Sequence, residues 1–253
     1  MGTGVTHPMW PLFDLRLRTE RLELRLPNDD EIAALCAVAR AGIHPPDEMP
    51  FAFPWTDKPS PRFEREFAQF HWGIRATWRP DSWDLELMVA IDGRPIGIQG
   101  ILASRFAQMR LVHTGSWLGH EFQGKGYGKE MRGAVLALAF EGLGAEVAET
   151  EAFFDNAASA AVSRAVGYRE NGIGRAAPRG TPVDTQRFRM TIDDWRGRAR
   201  PKVEILGLEA QDFGSCSASA GTPVRRWRAA ELGRGPARRP ESGTAARALI
   251  GPA

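Results

Sequence analysis

Three glycines alternate over five residues near the middle of the chain, at Gly124, Gly126 and Gly128. The residues before them, 110–118, are rich in β-branched and aromatic side chains and predict a short strand. After them, apolar residues recur at helical spacing over 131–140 and predict an amphipathic helix. A glycine loop between a strand and a helix presents unpaired backbone N–H groups and the positive end of the helix dipole to one point. The segment therefore predicts a phosphate-binding site.

The spacing of this loop distinguishes three kinds of phosphate-binding motif. A dinucleotide fingerprint, G-x-G-x-x-G, requires its third glycine one position after Gly128. A Walker A loop requires Ser or Thr after its lysine, but Gly126 follows Lys125, so the hydroxyl ligand for Mg²⁺ is missing and nucleotide hydrolysis is disfavoured. The third pattern, Q-x-x-G-x-G beginning at Gln123, fits without exception. It resembles the loop with which GNAT acyltransferases hold the pyrophosphate of acyl-CoA.

The resemblance to the GNAT acyltransferases extends beyond the loop and points to their RimJ/RimL branch, the ribosomal-protein N-acetyltransferases and their small-molecule relatives. The similar segments are 17–25 (opening strand, T-x-R-L-x-L-R), 115–126 (G-Y-W-L…Q-G-K/Q-G), 155–159 with 165–168 (N-x-x-S…l-G-F/Y) and 188–195 (closing strand). This resemblance implies an α/β (α+β) fold with a mixed, mostly antiparallel central sheet flanked by helices. It also implies a splayed pair of strands that holds acyl-CoA.

The same resemblance implies which residues bind the cofactor. The backbone of the strand pairs with the pantetheine arm, the amides of the loop hold the pyrophosphate, and the N-x-x-S segment lies near the thioester. The implied cofactor-binding residues are Ser116, Trp117, Leu118, Gln123, Gly124, Lys125, Gly126, Tyr127, Gly128, Lys129, Asn156 and Ser159. From the residues alone, the two lysines are equally well explained as solvated side chains, and Asn156 as a helix N-cap.

Three residues are candidates for catalysis. His113 stands where many RimJ/RimL relatives carry a glutamate, and a histidine can act as general base for an amine near neutral pH. Strand alternation also allows His113 to face the core or the outer surface. Tyr168 either donates a proton to the leaving thiolate or packs against CoA, and Ser159 serves the thiolate or caps a helix. Alternative bases near the same strand ends are Glu121, Glu151 and Asp155.

A proline-rich segment, 44–56, precedes a helix that carries many aromatic residues. Its four prolines exclude a helix or a central strand. Apolar side chains at Phe51, Phe53 and Trp55 favour an ordered loop. In the family this region lies over the acceptor site, so the three residues either bind the substrate or plug the core. This loop and the aromatic helix that follows it over 60–78 are compatible with a homodimer.

Composition and charge suggest a domain organisation and exclude several functions. The chain carries a net charge of +2, but residues 217–253 hold seven arginines against two glutamates, so residues 1–216 carry −3. We expect an extension (1–14), a GNAT domain (15–196), a second extension (197–216) and a disordered basic tail (217–253). The only dense basic cluster in the tail is short, which disfavours nucleic-acid binding. No apolar run reaches ~18 residues and no signal peptide is visible, so we expect a cytoplasmic protein without a membrane span. The histidines show no metal-ligand spacing, so we expect no metal.

The sequence thus predicts an acyl-CoA-dependent N-acyltransferase that uses acetyl-CoA by default. The acceptor amine is a protein N-terminus, a lysine or a small molecule, and the sequence does not choose among them. Succinyl-CoA is the alternative donor, with Arg175 or Arg179 binding its distal carboxylate. Two further hypotheses stay open: a non-catalytic acyl-CoA sensor, and a protein that binds nucleic acid through its tail with salt-sensitive affinity.

Overall fold

The computed structural model describes residues 7–209 and Phe213. In this part of the chain nine strands form one sheet, in the order β7-β8-β6-β5-β4-β3-β2-β1-β9. The strands are β1 (Arg16–Arg18), β2 (Glu23–Arg25), β3 (Ser82–Ile91), β4 (Arg94–Ser104), β5 (Leu111–Leu118), β6 (Val147–Phe153), β7 (Arg169–Ala176), β8 (Val183–Thr191) and β9 (Glu204–Leu206). The tail 217–253, for which the sequence predicts disorder, lies outside the described residues.

Six helices accompany the sheet in the described residues. They are α1 (Asp29–Ala41), α2 (Arg62–Thr77), α3 (Phe106–Met109), α4 (Tyr127–Ala137), α5 (Ala157–Val166) and α6 (Ile192–Arg196). A π-helical turn, Leu138–Gly142, continues α4. Helices α1 and α2 pack together and contact β4 and β3, whereas α4 packs against α5 and contacts β4 and β5. No described helix has both the length and the apolar composition that crossing a membrane requires.

All pairings in the sheet are antiparallel except that between β5 and β6. The dipeptide Asp92-Gly93 predicts a hairpin turn, and β3 and β4 are joined there, with Asp92 at φ 49° and Gly93 at φ 79°. Two successive residues with positive φ match the twist of a tight hairpin. The predicted crossover from β5 through α4 to a parallel β6 is also confirmed. The mixed, mostly antiparallel sheet flanked by helices is therefore the fold class that the sequence predicts.

Two apolar cores lie in the fold. The larger one contains the inner faces of α4 and β3, including Leu85, Leu87 and Val135. The smaller one lies under α1 and α2 and takes Met88 and Ile98 from the sheet. Both faces of β3 are consequently buried, since Leu87 and Met88 are each 0% exposed. The sheet is thus covered on both sides at its centre.

Local chemistry explains where the helices begin. Helix α1 starts with the predicted capping box, in which the Asn28 side chain accepts from the Glu31 amide and the Glu31 carboxylate accepts from the Asn28 amide. The sequence predicts Pro61 at the first position of α2, but the helix begins at Arg62 and Pro61 is its N-cap. The segment 169–180, expected as a turn or an irregular arm, contains β7, which pairs with β8.

Candidate active site

The glycine loop has the backbone geometry that its sequence predicts. Gly124 and Gly126 adopt φ values of 72° and 85°, in the left-handed region that disfavours side chains. Gly126 is the N-cap of α4, and the helix begins at Tyr127. The first N–H groups of an α-helix have no partner inside the helix. The loop therefore directs unpaired amides and the positive end of the α4 dipole outward, which is the arrangement that binds phosphate.

The turn between β1 and β2 holds this loop in place. Arg21 donates to the Lys125 carbonyl at 3.2 Å and to the Glu130 carboxylate at 2.7 Å. The Thr19 hydroxyl donates to the same carboxylate at 2.6 Å. The Arg21 guanidinium also lies over the Tyr127 ring, 4.6 Å from its centroid. The Tyr127 ring thus takes part in the contacts with which Arg21 and Thr19 hold the loop.

The polar residues of the loop differ in their surroundings. Gln123 directs its side-chain amide inward and donates to the carbonyls of Ile43 at 2.7 Å and Leu118 at 2.9 Å. Lys125 and Lys129 are exposed. The ammonium of Lys125 lies 5.9 Å from the centroid of the Phe122 ring. Gln123 therefore fixes the loop to β5, and the two lysines lie at the surface beside the N-terminus of α4.

The ladder between β5 and β6 ends midway along both strands. Its pairs are Leu111 with Val147, Val112 with Ala148, and His113 with Glu149. β5 continues to Leu118 and β6 to Phe153 without further pairing between them. Just beyond the last pair, the Thr114 carbonyl accepts from the Thr150 hydroxyl, at 2.8 Å, rather than from a backbone amide.

The backbone of Ser116 faces β6 beyond this point. Successive residues of a strand point their backbone groups to opposite sides, so Ser116 turns the same way as Thr114. Trp117 points its backbone toward β4, where it pairs with Ile98. Its indole is buried against Trp55, with ring centroids 6.0 Å apart. Of the residues predicted on β5, Ser116 directs its backbone toward β6 beyond the end of the ladder. The Trp117 side chain is not directed there.

His113 lies at the last pair of this ladder, beside two charged groups. Its Nδ1 atom is 4.0 Å from Glu149 Oε2, and its side chain is 42% exposed. Glu149 also pairs with Arg189 at 3.0 Å. Among the alternative bases, Glu121 pairs with Arg94 at 2.9 Å, Glu151 accepts from the Thr185 hydroxyl, and Asp155 is exposed. The carboxylate beside His113 is thus Glu149, which the sequence analysis did not single out.

Helix α5 carries two buried hydroxyl groups on one face. The Asn156 side chain caps this helix by accepting from the Ser159 amide at 3.0 Å, as the capping interpretation predicts. Ser159 Oγ and Ser163 Oγ are both buried, and within the described residues neither has a hydrogen-bond partner. Buried hydroxyl groups are normally satisfied, so both are candidates for a hydrogen bond to a bound ligand.

Tyr168 is buried on the side of β5 that faces α4. Its hydroxyl lies 2.9 Å from Thr114 Oγ1, and it also contacts the Arg132 side chain. Burial raises the pKa of the Tyr168 phenol above its ordinary value, although the Arg132 charge opposes this shift. The phenol therefore keeps its proton at neutral pH.

Arg132 lies at the centre of the buried polar side chains around Tyr168. It projects from α4, it is 0% exposed, and burial lowers the pKa of its guanidinium. Its nitrogens donate to Ser116 Oγ at 3.1 Å, Thr150 Oγ1 at 3.2 Å and Gln99 Oε1 at 3.4 Å. The sequence analysis missed this residue, and the only signal was a single basic side chain within the apolar stretch 131–140.

The proline-rich loop contributes both buried and exposed aromatic side chains. Phe51 and Trp55 are buried in the smaller core, 5.1 Å apart between centroids, whereas Phe53 is 41% exposed. The plug interpretation therefore describes the packing of Phe51 and Trp55. Arg179, in the loop between β7 and β8, makes two 2.8 Å bonds to Asp57 of this segment. Its guanidinium is thus already paired, against the expectation that it binds a distal carboxylate.

A comparison with known proteins identifies the family. Residues 21–169 match the model of the acetyltransferase (GNAT) domain. The chain belongs to the GNAT acetyltransferase family. It is accordingly an enzyme of the acyltransferase class, and the expectation drawn from the glycine loop is confirmed at this level.

Solved structures share the GNAT fold. A putative ribosomal-protein-serine acetyltransferase from Vibrio cholerae is 22% identical, with a TM-score of 0.56 over 70% of this chain and 97% of its own. Mycobacterium smegmatis RimJ in complex with CoA-disulfide is 20% identical, with a TM-score of 0.59 over 73% and 90%. RimL, a ribosomal L7/L12 alpha-N-protein acetyltransferase in complex with coenzyme A, is 17% identical, with a TM-score of 0.54 over 70% and 97%.

The GNAT domain also holds a group of buried ionisable residues away from its loop. Asp84 and Glu86 on β3 line a small cavity under α2, together with His71, Trp10 and Trp78. Burial lowers the pKa of His71 to about 3 and raises that of Asp84 to about 7. Burial, together with the Asp84 charge, also raises the pKa of Glu86. In the described part of the chain, no group of three or more His, Cys, Asp or Glu side chains has the arrangement of a metal site.

Proposed function

We propose that this GNAT acetyltransferase transfers an acetyl group from acetyl-CoA to a primary amine. The observation that carries the proposal is the arrangement of one β5–loop–α4 unit. Its loop presents the unpaired amides around Gly126, and its strand presents the unpaired backbone around Ser116, where the ladder with β6 ends. A ligand with a pyrophosphate at one end and an amide-containing arm at the other fits both features.

Each end of acetyl-CoA has candidate partners in this unit. The amides of 124–128 bind the pyrophosphate, and Lys125 and Lys129 lie where they can add charge to its binding. The pantetheine amides pair with the backbone of Ser116 and Leu118, as a strand would. The buried hydroxyl of Ser159, which has no hydrogen-bond partner among the described residues, is the candidate for a hydrogen bond to the CoA arm. The splayed strand pair of the family would then begin after the pair His113–Glu149.

The chemistry is direct attack of the amine on the thioester carbonyl. The amine nitrogen forms a bond to the acyl carbon and loses a proton to His113, whose Nδ1 atom lies 4.0 Å from the Glu149 carboxylate. The tetrahedral intermediate then collapses, and the C–S bond breaks with its electron pair leaving on sulfur. The thiolate takes a proton from a hydroxyl group, for which Ser159 and Tyr168 are the candidates. Tyr168 is protonated at neutral pH, and the adjacent Arg132 charge would stabilise the phenolate that proton donation leaves.

The acceptor is a primary amine, and a protein N-terminus is the class that the comparisons support. The RimL structure with the same fold belongs to an alpha-N-protein acetyltransferase. In the proline-rich loop, Phe53 exposes an aromatic surface, and we propose that it contacts the acceptor. Acetyl-CoA is the default donor, and of the two arginines that could bind the distal carboxylate of succinyl-CoA, Arg179 is held by Asp57, whereas Arg175 is exposed.

Calorimetric titration of CoA, acetyl-CoA and succinyl-CoA into the protein tests this proposal. The variant Gly126→Glu places a bulky anion at the N-cap of α4 and should abolish binding of all three. A matched control is Gly144→Glu, because Gly144 also has a positive φ (71°) and open space around its Cβ but lies beyond the opposite end of α4. The control should bind like the unmodified protein. Absence of binding to the unmodified protein, or equal binding by both variants, would overturn the proposal.

A further inference from the structure

Arg132 carries a charge that the described residues do not neutralise. Its guanidinium is completely buried, yet no carboxylate in the part of the chain that the structure describes lies within 4.0 Å of it. Its partners are an amide oxygen and the hydroxyl oxygens of Ser116, Thr150 and Tyr168, all of them neutral. Removing a cation from water without an anion is costly. Such an arrangement requires an explanation beyond packing.

The placement of the two terminal nitrogens of Arg132 supplies such an explanation. Nη2 donates to Ser116 of β5, and Nη1 donates to Thr150 of β6. Both residues lie just beyond His113 and Glu149, the last pair of the ladder between these strands. A planar guanidinium with donors in a fixed fork can hold two acceptors at a set separation. Arg132 thus bridges the two strands at the place where their backbone pairing stops.

We propose that Arg132 is a positioning residue that sets the width of the gap between β5 and β6. This inference rests on the proposed function, in which the pantetheine arm of acetyl-CoA enters that gap. By holding Ser116 and Thr150 from the α4 side, Arg132 keeps the Ser116 backbone unpaired and directed at the arm. It also joins the gap to the phosphate loop, since the same helix carries Gly126 at its N-terminus.

The contact with Gln99 separates this role from a purely structural one. Gln99 accepts from Arg132 as Thr150 does, but it lies on β4, whose ladder with β5 runs without interruption from Gly97 to Leu102. Gln99 also donates from Nε2 to the carbonyls of Gly100 and Gly115, so its loss removes a partner of the buried charge on the β4 side of β5, away from β6. Loss of Ser116 Oγ or Thr150 Oγ1 removes a partner on one side of the gap.

The test compares CoA affinity by calorimetry, and melting temperature, across matched variants. Ser116→Ala should weaken CoA binding by about tenfold, the effect expected for a lost hydrogen bond to a charged group. Thr150→Val should weaken it at least as much, because it also removes the 2.8 Å bond to the Thr114 carbonyl across the two strands. Thr150→Ser, which keeps the hydroxyl, should restore affinity. Gln99→Met should lower the melting temperature as much as Thr150→Val does but leave CoA affinity within about threefold.

A double-mutant cycle then assigns the effect to Arg132. In an Arg132→Met background, Ser116→Ala should have no further effect on CoA affinity, because the bridge is already absent. Arg132→Lys keeps the charge but cannot reach both strands, so it should bind CoA as weakly as Arg132→Met. Additive effects in the cycle, or equal affinity loss in Gln99→Met and Thr150→Val, would overturn the inference while leaving the proposed function intact. Failure of the unmodified protein to bind CoA would overturn both.

Discussion

Asp84 and Glu86 show how one sheet face can hold ionisable groups without counter-ions. They alternate with Leu85 and Leu87 on β3, and their side chains lie under α2. Asp84 Oδ1 and Glu86 Oε1 are buried without a hydrogen-bond partner in the described residues. Arg75, which lines the same cavity, pairs instead with Asp29 and donates to the Pro27 carbonyl. The pair therefore favours the protonated state.

The pH dependence of stability follows from the direction in which burial shifts the pKa values of Asp84 and Glu86. Because the folded protein holds these protons more tightly than the unfolded chain does, the pair stabilises the fold below the ordinary carboxyl pKa values. That stability is lost as the pH rises through the folded-state pKa, which is about 7 for Asp84. The pKa of His71 is lowered, so its contribution has the opposite sign: it is present above about 6.5 and is lost as the pH falls toward 3.

Replacement of Glu86 by glutamine should therefore stabilise the protein at alkaline pH. The amide keeps the shape and removes the ionisation, so we expect a gain on the order of 2 kcal/mol at pH 8 and little gain at pH 5. Denaturant unfolding at both pH values measures the difference. His71 is common to the two proteins, so its titration cancels. An equal change at both pH values would show that the carboxyl does not titrate in this range.

Residue-scale features of this kind were the hardest to predict from the sequence. Residues 83–91 predict a strand, in which Asp84 and Glu86 alternate with apolar residues only over 83–87, and such a polar face normally meets solvent. Here α2 covers it, which no pattern within the strand reveals. Arg132 was missed for the same reason, because its partners come from three different strands. By contrast, the positive φ of Gly126 could be predicted, since it depends on the loop alone.

At the scale of elements, the phosphate loop depends on a distant turn. Glu130 in the first turn of α4 accepts from the Thr19 hydroxyl, the Arg21 amide and the Arg21 guanidinium. Arg21 in turn holds the Lys125 carbonyl and covers the Tyr127 ring. These contacts join the β1–β2 turn to the loop across more than 100 residues of sequence. They fix the direction in which the N-terminus of α4 points.

Replacement of Glu130 by alanine should loosen the loop as well as destabilise the fold. Three charge-assisted hydrogen bonds are lost, so we expect a cost of about 2–3 kcal/mol and a CoA affinity about tenfold lower. Chemical denaturation and calorimetry measure the two effects. Glu170→Ala is the matched control, because it removes an exposed pair between β7 and α5, with Arg164 at 2.6 Å. The control should stay within about 0.5 kcal/mol and bind CoA normally. Normal CoA binding by Glu130→Ala would contradict the expectation that the contacts of Glu130 with Thr19 and Arg21 position the loop for CoA.

Elements with local signals were predicted well, and those defined by distant partners were not. The β3–β4 hairpin and the Asn28–Glu31 capping box are set by neighbouring residues, and both are confirmed. The sequence predicts 169–180 only as a turn or an irregular hairpin arm, because its glycines and charges carry no clear strand pattern. β7 forms through its pairing with β8, with a register shift between Glu170 and Ile173. The end of the β5–β6 ladder has no sequence signal of its own and was expected only from the family resemblance.

At the scale of the whole molecule, the segment after α6 is part of the fold. The residues 203–209 predict an edge strand or a packed extension, and here β9 pairs with β1 and forms one edge of the sheet. Further on, Phe213 is 0% exposed and packs against Trp83 and Trp78, with ring centroids 5.2 Å and 5.9 Å away. Its place in the larger core could not be predicted, because it is a single aromatic residue in a polar stretch. The chain thus needs residues well beyond 196 to complete the core that supports β3.

This packing predicts how the molecule tolerates truncation. Phe213→Ala removes a fully buried aromatic side chain and should cost about 3–5 kcal/mol. A chain ending at residue 216 keeps β9 and Phe213, so its melting temperature and its CoA affinity should match those of the full chain. Thermal unfolding and calorimetry on the full chain, the 1–216 chain and the Phe213→Ala variant measure both quantities. If the 1–216 chain loses CoA affinity, the basic tail contributes to the site. If Phe213→Ala costs less than about 1 kcal/mol, the segment 203–213 is an appendage rather than part of the core.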